Sequence, residues 1–287
     1  MMPVETPHTK SVLARLFNES KRTSETYNVL LTRYVGFRFL YRLAESSYAD
    51  DFLLKGATMF LFWQGEMHRP TKDLDLLGTS ADVDKLKQIF IEIAALSCDT
   101  DGVQFDLESI EVQPIRLEQT YGGVRITLNG YIGKARIPLQ IDIGVGDAVT
   151  PGPIEIELPC ILTDIPIGRI RCYNRETSFA EKLESITKLG LANSRMKDFY
   201  DLAKLAQDSE LDLETLPFAI RATFHRRNTE IPSGLPMALT SAFWDNNEVR
   251  NRWSAFVRKN GVSPPASDLE ATCRLIAETI EPLLSGS

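Results

Sequence analysis

Between residues 11 and 47 the apolar side chains recur every three or four positions. Tyr27, Leu30, Leu31, Tyr34, Phe37, Leu40, Tyr41 and Ala44 make one stripe, which predicts a helical stretch packed on a core. The next apolar run, Phe52-Leu53-Leu54, is short and unbroken like a buried strand; Lys55-Gly56 follow it, then helical spacing from Ala57 to Trp63. A strand, a glycine and a helix start therefore adjoin. After a polar loop over 64–72, Asp73-Leu74-Asp75-Leu76-Leu77 reads as a strand ended by Gly78, and Ser80 or Asp82 is placed to cap a helix reaching about Leu96. Alternating or β-rich spacing predicts further strands at 109–117, 123–131 and 136–143, with Gly122-Gly123 and Asn129-Gly130 as turn signals.

The pattern changes at 147–166, a stretch punctuated by Pro151-Gly152-Pro153 that predicts a linker. Beyond it the spacing is helical: Thr177 is placed to cap a helix through Leu189, and helices are predicted at 195–207, 213–226, 236–243, 247–259 and 267–284. Strands mixed with helices, then helices alone, define an α+β chain. The expected division is an N-terminal α/β domain with its leading helices over 1–150 and a mostly helical C-terminal domain over 151–287. No internal repeat or low-complexity tract interrupts either half.

Composition narrows the class. The 287 residues exceed the usual single-domain length, and 43% hydrophobic with 25% charged residues is ordinary for a globular chain. A net charge of -7 excludes a uniformly basic surface, so nucleic acid would have to meet a local patch at Lys21-Arg22, 33–42, 221–227 or 250–259. Such runs are also the solvated faces of ordinary helices. Cys98, Cys160, Cys172 and Cys273 form no CxxC pair, which points to reduced thiols and away from a zinc site or a disulfide framework. No apolar run reaches 18 residues and the first ten residues lack a signal-peptide core, so a cytoplasmic protein with no membrane partner is expected.

Three aspartates stand out against this background. On a strand, Asp73 and Asp75 point to one face, near enough to bind one divalent cation or a pair of them. Aspartate is disfavoured in strands, although a solvated edge face would tolerate it. Asp142 lies in Leu139-Gln140-Ile141-Asp142-Ile143, where the apolar residues take one face and Gln140 and Asp142 the other. If this strand pairs beside 73–77, the three acids meet, and the cluster would repel itself without a cation. Magnesium favours carboxylates together with phosphate oxygens, so the expected ligand is a nucleoside triphosphate with Mg²⁺ or Mn²⁺. Gly56, ahead of a helix start, would let backbone approach a phosphate, although a glycine there also serves turn geometry alone. The histidines His8, His68 and His225 suggest no site.

The combination has a counterpart among known families. A glycine-led helix, an Asp-x-Asp pair and a distant third acid are similar to the nucleotidyltransferase pattern. More narrowly, Leu54-Lys55-Gly56-Ala57, Arg69-Pro70-Thr71-Lys72-Asp73-Leu74-Asp75 and Ile141-Asp142-Ile143 resemble the AbiEii/AbiGii toxins of type IV toxin–antitoxin systems. Ser178-Phe179-Ala180-Glu181-Lys182-Leu183 resembles that family's lysine motif, and Arg195-Met196-Lys197-Asp198-Phe199-Tyr200-Asp201-Leu202 its last acidic motif. The likeness spans about residues 50 to 205. It departs at Ala57-Thr58, where wider nucleotidyltransferases have Gly-Ser, so a hydroxyl contact to phosphate would fall to Thr58.

The resemblance implies a nucleotidyltransferase-like mixed sheet with flanking helices, completed by the helical half. It implies Asp73, Asp75 and Asp142 as catalytic metal ligands, and Lys55, Gly56, Thr58, Arg69 and Lys182 around the triphosphate. Asp198 and Asp201 belong near the site, and spacing does not choose between them; read alone, they also fit a solvated face with Lys197 paired to Asp201. The implied activity is transfer from an NTP to an acceptor hydroxyl, foremost the 3′ end of tRNA, with a separately encoded antitoxin as partner. Transfer onto a protein hydroxyl, a non-catalytic nucleotide-binding module and a two-metal nuclease are the rivals. An intact acid triad weighs against the second, and the glycine-led cradle and lysine weigh against the third.

Overall fold

The computed structural model describes residues 4–23, 25–71, 73–116 and 122–284. Lys72 and Leu117, part of the predicted loop and strand, lie outside these. The chain forms two compact units that interleave in sequence. One comprises Met1–Glu66, Thr71–Gly146 and Ile154–Cys172; the other comprises Met67–Pro70, Asp147–Pro153 and Tyr173–Ser287. The expected break at 150 thus falls in a seven-residue excursion, after which the chain returns to the first unit.

The first unit is built on a seven-stranded mixed sheet. Its strands are β1 (Phe52–Lys55), β2 (Asp73–Gly78), β3 (Val103–Arg116), β4 (Gly122–Ile132), β5 (Ala135–Val145), β6 (Ile154–Glu157) and β7 (Arg169–Cys172), in the order β3-β4-β5-β2-β1-β7-β6. Pairing is antiparallel except between β2 and β5 and between β1 and β7. β6 lies in the stretch read as a linker and β7 just beyond it. With four residues each, β6 and β7 are too short for alternation to reveal them.

Helices α1 (Pro7–Thr23), α2 (Tyr27–Ala44), α3 (Met59–Gln64) and α4 (Val83–Ala95) complete the unit. The predicted helix over 11–47 is therefore two helices, and Thr26, extended at φ -60° and ψ 128°, starts the second. Asp82 caps α4 by accepting from the Lys85 amide. Phe39 of α2 stacks on Phe90 of α4 and meets Phe105 of β3 edge-on, while Phe90 meets Phe52 of β1. These contacts define the apolar face of the sheet, which also carries Leu74, Leu76, Val124, Ile126, Ile141 and Ile143.

Asn129-Gly130, read as a turn, lies inside β4. A Cβ on Gly130 would sit 2.4 Å from Val35 Cγ1, so this glycine lets α2 lie close on the sheet. The hairpin instead turns after Ile132 at Gly133, whose φ is +56°.

The basic segment at 33–42 is partly internal. Asp101, fully buried, accepts from Arg38 Nε at 2.8 Å and Arg42 Nη1 at 2.7 Å, and Arg42 also donates to the carbonyls of Leu96 and Val103. These two arginines tie α2 to the loop before β3 and are withdrawn from any nucleic-acid patch.

The second unit is helical: α5 (Arg175–Leu189), α6 (Met196–Ala206), α7 (Leu216–Arg226), α8 (Ser241–Trp244), α9 (Asn247–Asn260) and α10 (Leu269–Leu284). Asn174, and not Thr177, caps α5: its side-chain oxygen accepts from the Thr177 amide, and its amide nitrogen donates to the carbonyls of Thr150 and Gly152. The excursion 147–153 is thereby fixed to the start of α5. Phe199 stacks on Phe243 at 4.9 Å in the core. Arg227, taken from the sequence as part of a basic cluster, is an internal residue: it donates to Asp147, Glu181 and Glu184 at 2.9 to 3.0 Å. Burial would lower its pKa, but the three carboxylates raise it. Arg221 is exposed and lies over the Phe218 ring.

Candidate active site

The polar face of the sheet carries a row of charged residues in register. From β3 to β1 the aligned positions are Gln113, Arg125, Asp142, Asp75 and Lys55. The next row holds Glu111, Thr127, Gln140 and Asp73. Asp75 and Asp142 are direct neighbours on parallel strands, whose axes lie about 4.8 Å apart. Asp73 is two residues along β2 on the same face. The side-by-side arrangement anticipated for strands 73–77 and 136–143 is thus observed.

Gly56 shapes this row. It follows β1 with φ +80°, and a Cβ there would lie 2.1 Å from Asp75 Oδ2 and 2.8 Å from its Cγ. The Asp75 carboxylate therefore occupies the space a side chain at position 56 would need. A glycine is required twice over, for its left-handed backbone and for its missing side chain. α3 has only six residues and starts beyond Thr58, so its dipole is small; Thr58 is buried, and its hydroxyl makes no cap to the helix.

Sequence reasoning missed Arg125. Its Nε donates to Asp142 Oδ1 and its Nη2 to Oδ2, both at 2.8 Å, and Gln140 Nε2 approaches Oδ1 at 3.4 Å. The fork raises the Arg125 pKa first through this hydrogen bond, with Asp142, Asp73 and Asp75 adding Coulombic support, so the guanidinium feels all three acids. The only sequence signal was its place on the polar side of β4, alternating with Val124 and Ile126. Among the described residues no group of three or more His, Cys, Asp or Glu side chains is arranged to hold a metal ion. The donors themselves suit a hard divalent cation: carboxylate oxygens on one sheet face, two of them adjacent. The match is one of donor chemistry, and Asp142 is occupied by an internal cation, Arg125.

The remaining expected site residues belong to the second unit. Asp201 of α6 is buried and accepts from Arg69 Nε and Nη2 at 2.8 Å and from Lys182 Nζ at 2.8 Å. Burial alone would raise its pKa, but Lys182 and Arg69 overcome this and hold the carboxyl well below the usual range. Asp198, equally buried, lies 2.7 Å from Arg195 Nε and 3.9 Å from Lys182 Nζ. Tyr200 donates to the His68 carbonyl, so α6 holds two adjacent residues of the short segment 67–70, His68 and Arg69. The solvated-face alternative, Lys197 with Asp201, does not occur: both aspartates face inward. The four cysteines are free thiols; burial pushes those of Cys172 and Cys273 up to about 12.

The fold is that of nucleotidyltransferase-like proteins. It is shared by JHP933 of Helicobacter pylori (TM-score 0.51, 16% identity, covering 88% of this chain and 92% of that one). A candidate nucleotidyltransferase from H. pylori matches similarly (TM-score 0.53, 16% identity, 91% and 96% covered). No curated protein sequence matches the chain. The model of the nucleotidyl transferase AbiEii toxin family, of type IV toxin–antitoxin systems, matches residues 38–274, and the chain belongs to that family. No helix among the described residues is long and apolar enough to cross a membrane.

Proposed function

We propose that this protein transfers a nucleotidyl group from an NTP to an acceptor hydroxyl in a Mg²⁺- or Mn²⁺-dependent reaction. One observation carries the reading: Asp75 stands beside Asp142 in a parallel strand pair, with the Asp75 carboxylate lodged against Gly56. Carboxylates on neighbouring strands repel one another, and the Arg125 fork offsets this directly only at Asp142. A divalent cation relieves that repulsion, and family membership supplies the reason for a triphosphate to come with it.

In this reading Asp73, Asp75 and Asp142 hold the cation. When bound, it neutralises phosphate charge and favours both the attacking and the leaving oxygen. The acceptor oxygen attacks the α-phosphorus, the bond to pyrophosphate breaks, and the hydroxyl proton goes to Asp142 or to water. Lys55, Gly56 and Thr58 are assigned to the phosphates. Lys182 and Arg69 are assigned to charge neutralisation; both also pair with Asp201, which holds them together.

The acceptor proposed first is the 3′ end of tRNA in the cytoplasm, with a separately encoded antitoxin, as the family implies. A specific observation keeps transfer onto a protein hydroxyl as the second reading. The net charge is -7, and Arg38, Arg42 and Arg227 of the basic segments are engaged internally, which leaves less positive surface for RNA. Incubation of the purified protein with each radiolabelled NTP, Mg²⁺, total tRNA and cell lysate separates the readings. Labelled tRNA is expected; labelled protein supports the second acceptor, and no transfer under any condition overturns the activity.

A further inference from the structure

We propose that Arg125 is a displaceable counter-ion that occupies Asp142 until a divalent cation takes its place. The proposal rests on the metal-dependent reading above and adds a residue that sets how readily the cation is bound. Geometry supports it first. Both oxygens of Asp142 are engaged by one planar fork at 2.8 Å, and Gln140 adds a longer contact to Oδ1, so the carboxylate is held in a plane set by the guanidinium. Charge supports it next. Arg125 flanks Asp142 on the strand opposite Asp75 and feels the charge of Asp142, Asp73 and Asp75, so it offsets part of their repulsion from one side.

Exposure separates this fork from the structural ones. The Arg125 side chain is 40% exposed and Asp142 11%, whereas the Arg38 and Asp101 side chains are 7% and 0% exposed, and those of Arg69 and Asp201 12% and 1%. An arginine with two fifths of its side chain in solvent can leave its partner without being stranded in a dry interior. The other two cannot. Lysine at position 125 would keep the charge but could not hold both oxygens, because an ammonium is a point donor without the fork.

The test is Mn²⁺ binding by calorimetry to the full-length protein without nucleotide, for the native chain, Arg125→Gln, Arg125→Lys, Asp142→Asn and the Arg125→Gln/Asp142→Asn double variant. Thermal unfolding in EDTA serves as the folding control. Arg125→Gln is expected to bind Mn²⁺ roughly 10- to 100-fold more tightly than the native chain, and Arg125→Lys to show most of that gain. The gain should vanish when Asp142 is already Asn, since the competition is for that carboxylate. Native-like affinity in folded Arg125→Lys, or a gain that survives Asp142→Asn, overturns the latch in favour of a general charge effect and leaves the metal reading standing. Weaker binding in Arg125→Gln overturns it in favour of an arginine that supports the metal ligand. Absence of Mn²⁺ binding in every protein sinks the metal reading and the latch with it.

Discussion

Asp142 on β5 and Asp201 on α6 are both buried aspartates held in an arginine fork, yet their immediate neighbours differ: Asp75 stands beside the first, and Lys182 joins Arg69 on the second. Around Asp142 the sheet face gathers Asp73, Asp75 and Asp142 against Arg125 and Lys55. Around Asp201, Arg69 and Lys182 both pair with the carboxylate, and Arg195 pairs with Asp198 one turn away. In the proposed reading the first group takes a cation from outside, whereas the second already satisfies its aspartate internally. Burial and a fork are therefore not enough to label an acid structural or functional, and the balance of the whole group is the better guide.

Asp75→Asn is the strongest test of the first half of the contrast. Transfer should fall to background, a loss of at least about 10³, because asparagine keeps the shape but not the charge that holds the cation. Unfolding in EDTA should show no large loss, since asparagine keeps the shape and polar atoms of the side chain and removes one of three neighbouring negative charges. A large drop in Tm with transfer retained would make Asp75 structural and erase the difference between the two groups.

Asp201→Ala should behave in the opposite way. It leaves Arg69 and Lys182 without their buried partner and should cost about 3 to 5 kcal/mol of stability by chemical denaturation. The pH dependence follows from the depressed pKa of Asp201: its contribution is fully present above the unfolded value near about 4 and is lost as pH falls below it. Asp201→Asn should flatten the fall in Tm between roughly pH 5 and 2. An unchanged acid profile would show that Asp201 does not anchor its unit.

Lys182→Ala sharpens the comparison, because Arg69 still satisfies Asp201 through both of its oxygens. Stability should change less than in Asp201→Ala. The rate should fall about 10² to 10³-fold, the usual worth of one group stabilising developing charge. A loss of stability with an unaltered rate would assign Lys182 to the fold alone. Gly56→Ala comes next: the left-handed backbone should cost about 1 to 2 kcal/mol, and the new Cβ must push Asp75 aside, so weaker Mn²⁺ affinity should accompany the lower Tm. The smallest effect is expected at Arg221→Glu, an exposed arginine over Phe218, with less than about 0.5 kcal/mol in stability. If tRNA is the acceptor, the same variant should still weaken its binding at low salt, measurable by filter retention.

Much of this was legible in the sequence because it is local. The alternation Asp73-Leu74-Asp75-Leu76 fixes which side chains share a face, and Gly56 next to a short apolar run marks a turn whatever the rest of the fold does. What was hidden depends on partners. Arg125 gains its meaning only from the β4–β5 register, which sets it opposite Asp142. Gly130 looks like a turn until Val35 of another element is found against it. Arg227 and Arg42 look like surface charge, and only the three-dimensional placing of Asp147, Glu181, Glu184 and Asp101 turns them inward. The choice between Asp198 and Asp201 as the anchor of Arg69 likewise needed the structure, since both are acids on one helix.

The parallel pairing of β2 with β5 has a consequence for the order in which this protein comes into being. Its two acids are 67 positions apart in the chain, and β3, β4 and α4 lie between them. Parallel strands cannot zip up from a tight turn, so this pair needs the whole intervening crossover to have been made before it can close. A growing chain on the ribosome therefore carries the Asp73–Asp75 motif long before it can present that motif beside Asp142. Any chemistry that needs Asp75 beside Asp142 thus waits on a non-local pairing and not on the Asp73–Asp75 motif alone.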